Sequence, residues 1–150
     1  MSNNQAKRVD IVTLRMVKEK STLYAGRKVS SPQAGYSLVK DFLENLDREA
    51  LVVVALNSQN EPNNLSIASL GTLDSSPVHP REILKTAVIS NASSILVAHN
   101  HPGNSMLPSP ADQDATQRIG DACRTMGIDL LDHIIVGEGQ YYSFKEHGLL

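Results

Sequence analysis

Four apolar residues, Ile95-Leu96-Val97-Ala98, run without a break into His99-Asn100-His101-Pro102, and this join constrains the chain more than any other stretch. The apolar run reads as a short buried strand. Side chains alternate faces along a strand, so His99 and His101, at i and i+2, leave it on the same side. Two imidazoles at a strand end, beside a loop of Pro102, Gly103 and Asn104, are hard to bury unless each ring nitrogen finds a partner. A metal ion meets that demand. The next segment, Ser109-Pro110-Ala111-Asp112, reads as a helix start, with Ser109 as N-cap, Pro110 at the first helical position and Asp112 at the third. On its own, capping explains those residues without any metal. Taken with the histidine pair, it brings a carboxylate to two imidazoles, which supplies three of the four positions of a tetrahedral catalytic zinc site and leaves the fourth for water. That pattern points to a hydrolase.

Spacing removes several competing readings. There is no His-Glu-x-x-His helix, and the only cysteine, Cys123, lies in an expected helix, so neither a zincin nor a Pro-Cys-x-x-Cys deaminase site can be built. The letters His-Asn-His do not make a nuclease centre, because three adjacent strand residues cannot all reach one metal. Ligand type alone leaves non-haem iron open beside zinc, since both use two histidines and a carboxylate.

Further residues extend the pattern: Gly71-Thr72-Leu73, Val78-His79-Pro80-Arg81-Glu82, Ala98-His99-Asn100-His101-Pro102, Pro108-Ser109, Asp112, and Leu131-Asp132-His133-Ile134-Ile135-Val136-Gly137. In this order they resemble the JAMM motif of JAB/MPN metalloproteases, and more closely the C-terminal domain of the RadC family, over residues 48–150. Pro102-Gly103-Asn104 departs from that pattern, where a serine and then a glycine usually follow the proline. The resemblance implies a JAB/MPN fold with a cytidine-deaminase-like architecture. It also implies one Zn2+ per chain held by His99, His101 and Asp112. Ser109 matches the family serine that helps bind the tetrahedral intermediate, and Glu49, before the apolar run 51–56, matches the general base. Read without the resemblance, Glu49 is a solvated residue at the end of an acidic helix segment. Glu82, the other acidic candidate, is explained by its place in a first helical turn.

The chemistry implied is amide hydrolysis of a peptide or protein substrate. Zinc lowers the pKa of a bound water toward ~7 and polarises a carbonyl. Glu49 would take the proton and pass it to the departing amine, while Ser109 would donate to the developing oxyanion. His133 is expected either beside the ligands or as a satisfied core histidine, His79 at the start of a helix, and His147 at the surface. The alternative implied by the resemblance is a nucleic-acid-associated accessory or binding module in DNA repair. Full-length RadC proteins carry an additional N-terminal helical module that 150 residues cannot also contain, so a stand-alone catalytic domain is expected.

Composition sets the remaining expectations. The chain suffices for one domain with an aliphatic core, since it has no tryptophan and 4% aromatic residues. The start, Met1-Ser2-Asn3-Asn4-Gln5, shows no apolar signal region, and no run approaches the ~20 apolar residues of a membrane span, so a cytoplasmic protein without membrane contact is expected. Strands are expected over 9–16, 22–29, 51–56, 65–70, 95–98, 130–136 and 141–144, with helices from 31 onward, over 80–90 and over 110–126. Residues 57–64 read as the hairpin loop. The alternation predicts an α/β domain: a mixed sheet between helix layers, with a basic strand pair over 1–30 joined to the JAB/MPN-like unit 31–150. Residues 1–28 hold seven Lys or Arg against Asp10 and Glu19, a net +5, whereas the remainder carries 14 acids against seven bases, a net −7. Such a segment suits weak contact with nucleic acid or an acidic protein. A solvated strand pair balancing an acidic body explains the same charges, and a pI of 6.2 lacks the usual basic footprint.

Overall fold

The computed structural model describes residues 5–71, 78–101 and 105–150. Thr72, Leu73, Met1 to Asn4 and the Pro102-Gly103-Asn104 loop lie outside the described residues.

Helix α1, Pro32–Glu44, starts where Ser31 Oγ accepts a hydrogen bond from the Ala34 amide and Pro32 supplies a pre-set φ. It buries Gly35, Tyr36, Val39 and Leu43. Gly35 lets the helix settle onto the sheet, since a Cβ there would stand 2.9 Å from Ile134 Cδ1. The hairpin β1, Ala50–Leu56, and β2, Pro62–Leu70, follows. Its connection is shorter than the sequence suggests. Asn57 Oδ1 accepts from the Gln59 and Glu61 amides, and Asn60 takes a left-handed φ of 60°, so the turn closes by Glu61. Pro62 and the two asparagines after it therefore belong to a strand. Proline is tolerated there because β2 is an edge strand and Pro62 is its first residue.

Helix α2, Pro80–Ile89, leads to β3, Ser94–Asn100, which pairs antiparallel with β1. Helix α3, Pro110–Met126, then supplies the crossover that a parallel neighbour requires, ending at Gly127 with a left-handed φ of 69°. It returns the chain to β4, Asp129–Gly137, parallel to β3, and β5, Gln140–Ser143, closes antiparallel to β4. The five strands run β2-β1-β3-β4-β5.

Every residue of β1 and β3 is buried, which places helices over both faces of the sheet. Val52, Val54, Leu56, Leu96, Ala98, Ile134 and Val136 pack under α1. Leu51, Val53, Ile95 and Val97 pack under α2 and α3 with Ile83, Ala87, Ile119 and Cys123. Full burial of each such Val, Leu or Ile contributes on the order of 1.5–3 kcal/mol. The architecture is thus the expected mixed sheet between helix layers. Among the described residues no helix is long and apolar enough to cross a membrane.

The basic strand pair is a correction. Among residues 5–30 no strand forms, and Val9, Ile11, Val12, Leu14, Val17 and Leu23 are all exposed, Ile11 and Leu23 completely. The physical reason is that a two-stranded ribbon is marginal in water without a third strand or a helix to bury it. Seven positive charges within 1–28 oppose its closure further.

Candidate metal centre

Strand parity and register assemble the site. His99 follows Ile95 and Val97 onto the face covered by α3, and His101 continues the same parity. Leu51 lies opposite His99, so the chain just before β1 brings half-buried Glu49 level with His101. The Glu49 charge is close enough to act on the His101 imidazole. From the other side α3 presents Asp112 in its first turn, buried like His99.

The ligating atoms of His99, His101 and Asp112 all lie within 4.8 Å of one another. His99 Nε2 and His101 Nε2 are 2.9 Å apart, His99 Nε2 is 3.3 Å from Asp112 Oδ1, and His101 Nε2 is 3.2 Å from Oδ2. Tetrahedral ligands on bonds of about 2.0 Å stand about 3.3 Å from each other, so this spacing suits a zinc-sized cation.

Hydrogen bonding behind these three side chains sets what faces the space between them. Thr116 Oγ1 donates to the Asp112 carbonyl at 2.7 Å, which leaves it to accept from His133 Nδ1 at 2.5 Å. Neutral His133 then accepts at Nε2 from His99 Nδ1, 2.7 Å away. The chain ends on a carbonyl that can only accept, so the direction of every proton is fixed and His99 Nε2 is left bare. His101 repeats the arrangement on its own, its Nδ1 donating to the Ser105 carbonyl at 2.8 Å. Two bare nitrogens and a carboxylate facing one another repel unless a proton or a metal ion sits among them.

The ionisation tendencies agree. His133 is fully buried, and burial pushes its pKa well below the ordinary histidine value, keeping it neutral for its place in the chain. Hydrogen bonding to Asp112 raises the His101 pKa against partial burial. Burial raises the Asp112 carboxyl, but the pull of the His101 and His99 rings, which can donate to it only when a proton sits on Nε2, outweighs burial and holds the group well below the usual carboxylate range.

Ser109 and Asp112 form a reciprocal cap, in which Asp112 Oδ2 accepts from the Ser109 amide at 2.8 Å and Ser109 Oγ accepts from the Asp112 amide at 3.1 Å. The cap occupies Oδ2 and leaves Oδ1 the freer ligand atom. The Ser109 hydroxyl proton is not used by the cap. Glu82 pairs with Lys85 at 2.6 Å in the first turn of α2 and takes no part. His79 is the uncapped N-cap of that helix, and His147 is exposed and stacked on Tyr142. Sequence reasoning missed Thr116, although its position four residues after Asp112 puts both on one face of α3.

The RadC-like JAB domain family matches residues 29–149. A UPF0758 protein of Rubrobacter xylanophilus is 48% identical over 122 residues, covering 81% of this chain and 53% of that protein. One from Desulfitobacterium hafniense is 43% identical over 122 residues, with 81% and 54% covered. Another, from Methanosarcina mazei, is 36% identical over 124 residues, covering 83% and 54%. The chain spans about half the length of these relatives.

Proposed function

The chain belongs to the RadC-like JAB domain family, and from that premise we propose that it is a zinc-dependent hydrolase of peptide or isopeptide bonds. The observation that supports this best is the pair of bare imidazole nitrogens converging with Asp112 beside an acid, Glu49, that the ligand set does not use. His99, His101 and Asp112 would hold the ion, which supplies Lewis acidity and lets water ionise near neutral pH.

The chain's own groups divide the remaining work. Glu49 takes the proton from the attacking water and delivers it to the leaving nitrogen, since an amine departs only once protonated. Ser109 Oγ donates to the carbonyl oxygen as charge develops on it, a contact whose loss costs roughly 3 kcal/mol in comparable sites. His133 and Thr116 hold His99 in one tautomer.

Elemental analysis of the purified protein, with cleavage of a peptide library, tests the reading. The expected result is about one zinc per chain, lost in His101→Ala, and a cleavage rate that drops at least ~100-fold in Glu49→Gln with zinc retained. Unchanged cleavage in Glu49→Gln removes that residue from the mechanism, and zinc loss makes it a ligand.

A second reading rests on the exposed segment before α1, whose net +5 contrasts with the acidic body. It predicts salt-sensitive, sequence-independent binding of nucleic acid that disappears when residues 1–28 are removed while the metal stays.

A further inference from the structure

Asn100 lies between the two histidines and, by strand parity, belongs to the opposite face of β3 from theirs. It is 7% exposed. A buried amide is costly unless both its ends are bonded, and here both ends go to the backbone on either side of one residue. Asn100 Oδ1 accepts from the Ala50 amide at 2.7 Å, and Nδ2 donates to the Arg48 carbonyl at 3.0 Å. The residue between Arg48 and Ala50 is Glu49. Its own carbonyl accepts from the Gly71 amide at 2.9 Å, at a position whose φ of 100° strains any residue but glycine. Among the described residues no hydrogen bond reaches the Glu49 carboxylate, whereas the main chain at and beside Glu49 is held by three.

We propose that Asn100 is the positioning residue for Glu49, clamping the backbone on both sides of it so that the acid stays level with His101. This rests on the reading of Glu49 as the proton acceptor. One dipeptide step of β3 then does two jobs: it aims His99 and His101 at the metal and turns the residue between them onto the neighbouring strand. The backbone that carries the acid and the two histidines are thereby referred to the same piece of chain, through the short Asn100 side chain bonded at both its polar ends. An asparagine suits the task because its planar amide offers an acceptor and a donor in the sense that a neighbouring strand would. Aspartate keeps the acceptor alone, and alanine keeps neither.

Asn100→Ala and Asn100→Asp, each alone and combined with Glu49→Gln, test the proposal in the zinc-loaded protein. Two readouts are needed. The first is amide exchange followed residue by residue: the Ala50 amide should exchange at least tenfold faster in Asn100→Ala and stay protected in Asn100→Asp, with the Val53 amide unchanged in both as the folding control. The second is turnover, where Asn100→Ala should lower kcat by about ten- to a hundredfold at constant KM and zinc content, the size expected from misplacing a reacting group by about an ångström. In the Glu49→Gln background the same change should cost nothing further, because there is no acid left to position. Unchanged protection at Ala50 overturns the clamp. An equal loss of turnover in both backgrounds overturns the link to Glu49 and leaves a structural asparagine. If the wild-type protein cleaves nothing, the hydrolase reading fails, while the exchange result still decides whether the clamp exists.

Discussion

β3 and residues 9–17 are both rich in residues that favour strands, yet one is a fully buried central strand of the sheet and the other is no strand at all. β3 finds β1 on one side and β4 on the other, with helices over both faces. Among the described residues, 9–17 join no ladder; Met16 meets Asn64, and the neighbouring Lys20 stands 5.7 Å above the Phe42 ring. An apolar pattern therefore states what a segment would do if it had partners, and the ladder decides whether it does. The histidine end of β3 adds a second lesson. Its polar groups are so costly to bury unpaired that they specify one arrangement, whereas the early segment contains nothing that water cannot satisfy.

The contrast breaks first on stability. Leu43→Ala, in the layer under α1, should cost about 2–5 kcal/mol, whereas Ile11→Ala should stay within about 0.5 kcal/mol. Paired urea melts measure both, and a substantial loss for Ile11→Ala would show that the segment packs against something in solution.

Next in size is the chain of hydrogen bonds behind His99. Thr116→Val keeps the shape and removes the hydroxyl, so His133 loses its fixed acceptor and His99 its fixed tautomer. Zinc affinity, measured by competition with a chelating dye, should weaken about 10-fold or more. Deleting residues 1–28 should leave that affinity unchanged. Equal affinity in Thr116→Val and wild type would reduce the chain to packing.

A smaller effect follows from pH. The raised pKa of His101 makes its pairing with Asp112 stabilising below the ordinary histidine value, and that contribution is lost as pH rises through the raised value. A metal needs the same nitrogen unprotonated. Zinc should therefore stabilise the fold more at pH 8 than at pH 6, by about 1.4 kcal/mol per pH unit below the raised value for each proton displaced, read as a larger rise in Tm. A zinc-induced shift independent of pH would mean that His101 is not a ligand.

Much of this was legible in the residues. The bounds of α3, the order of strands and helices and the convergence of His99, His101 and Asp112 all follow from alternation and from a Ser-Pro start, because these signals are local. What escaped is non-local. Nothing near Asn63 and Asn64 says that Asn57 will close its turn early and draw them into β2. Thr116 and Asn100 have ordinary local surroundings, and their roles arise only when β4 and β1 come alongside. The strand pair at the start was misread for the converse reason: its local signals were good and its partners absent.

Cys123 sits on the same helix as Asp112, 1% exposed against the inner sheet face, and burial pushes its thiol up to about 11. A thiol so protonated and enclosed is inert toward alkylating reagents until the helix lifts away. An ion held between His99, His101 and Asp112 would rivet that helix to β3, so opening would first have to break the rivet. The single thiol would thereby become a clock inside the fold. The slowing of its modification as metal is added measures how firmly the ion fastens one layer of the protein to the next.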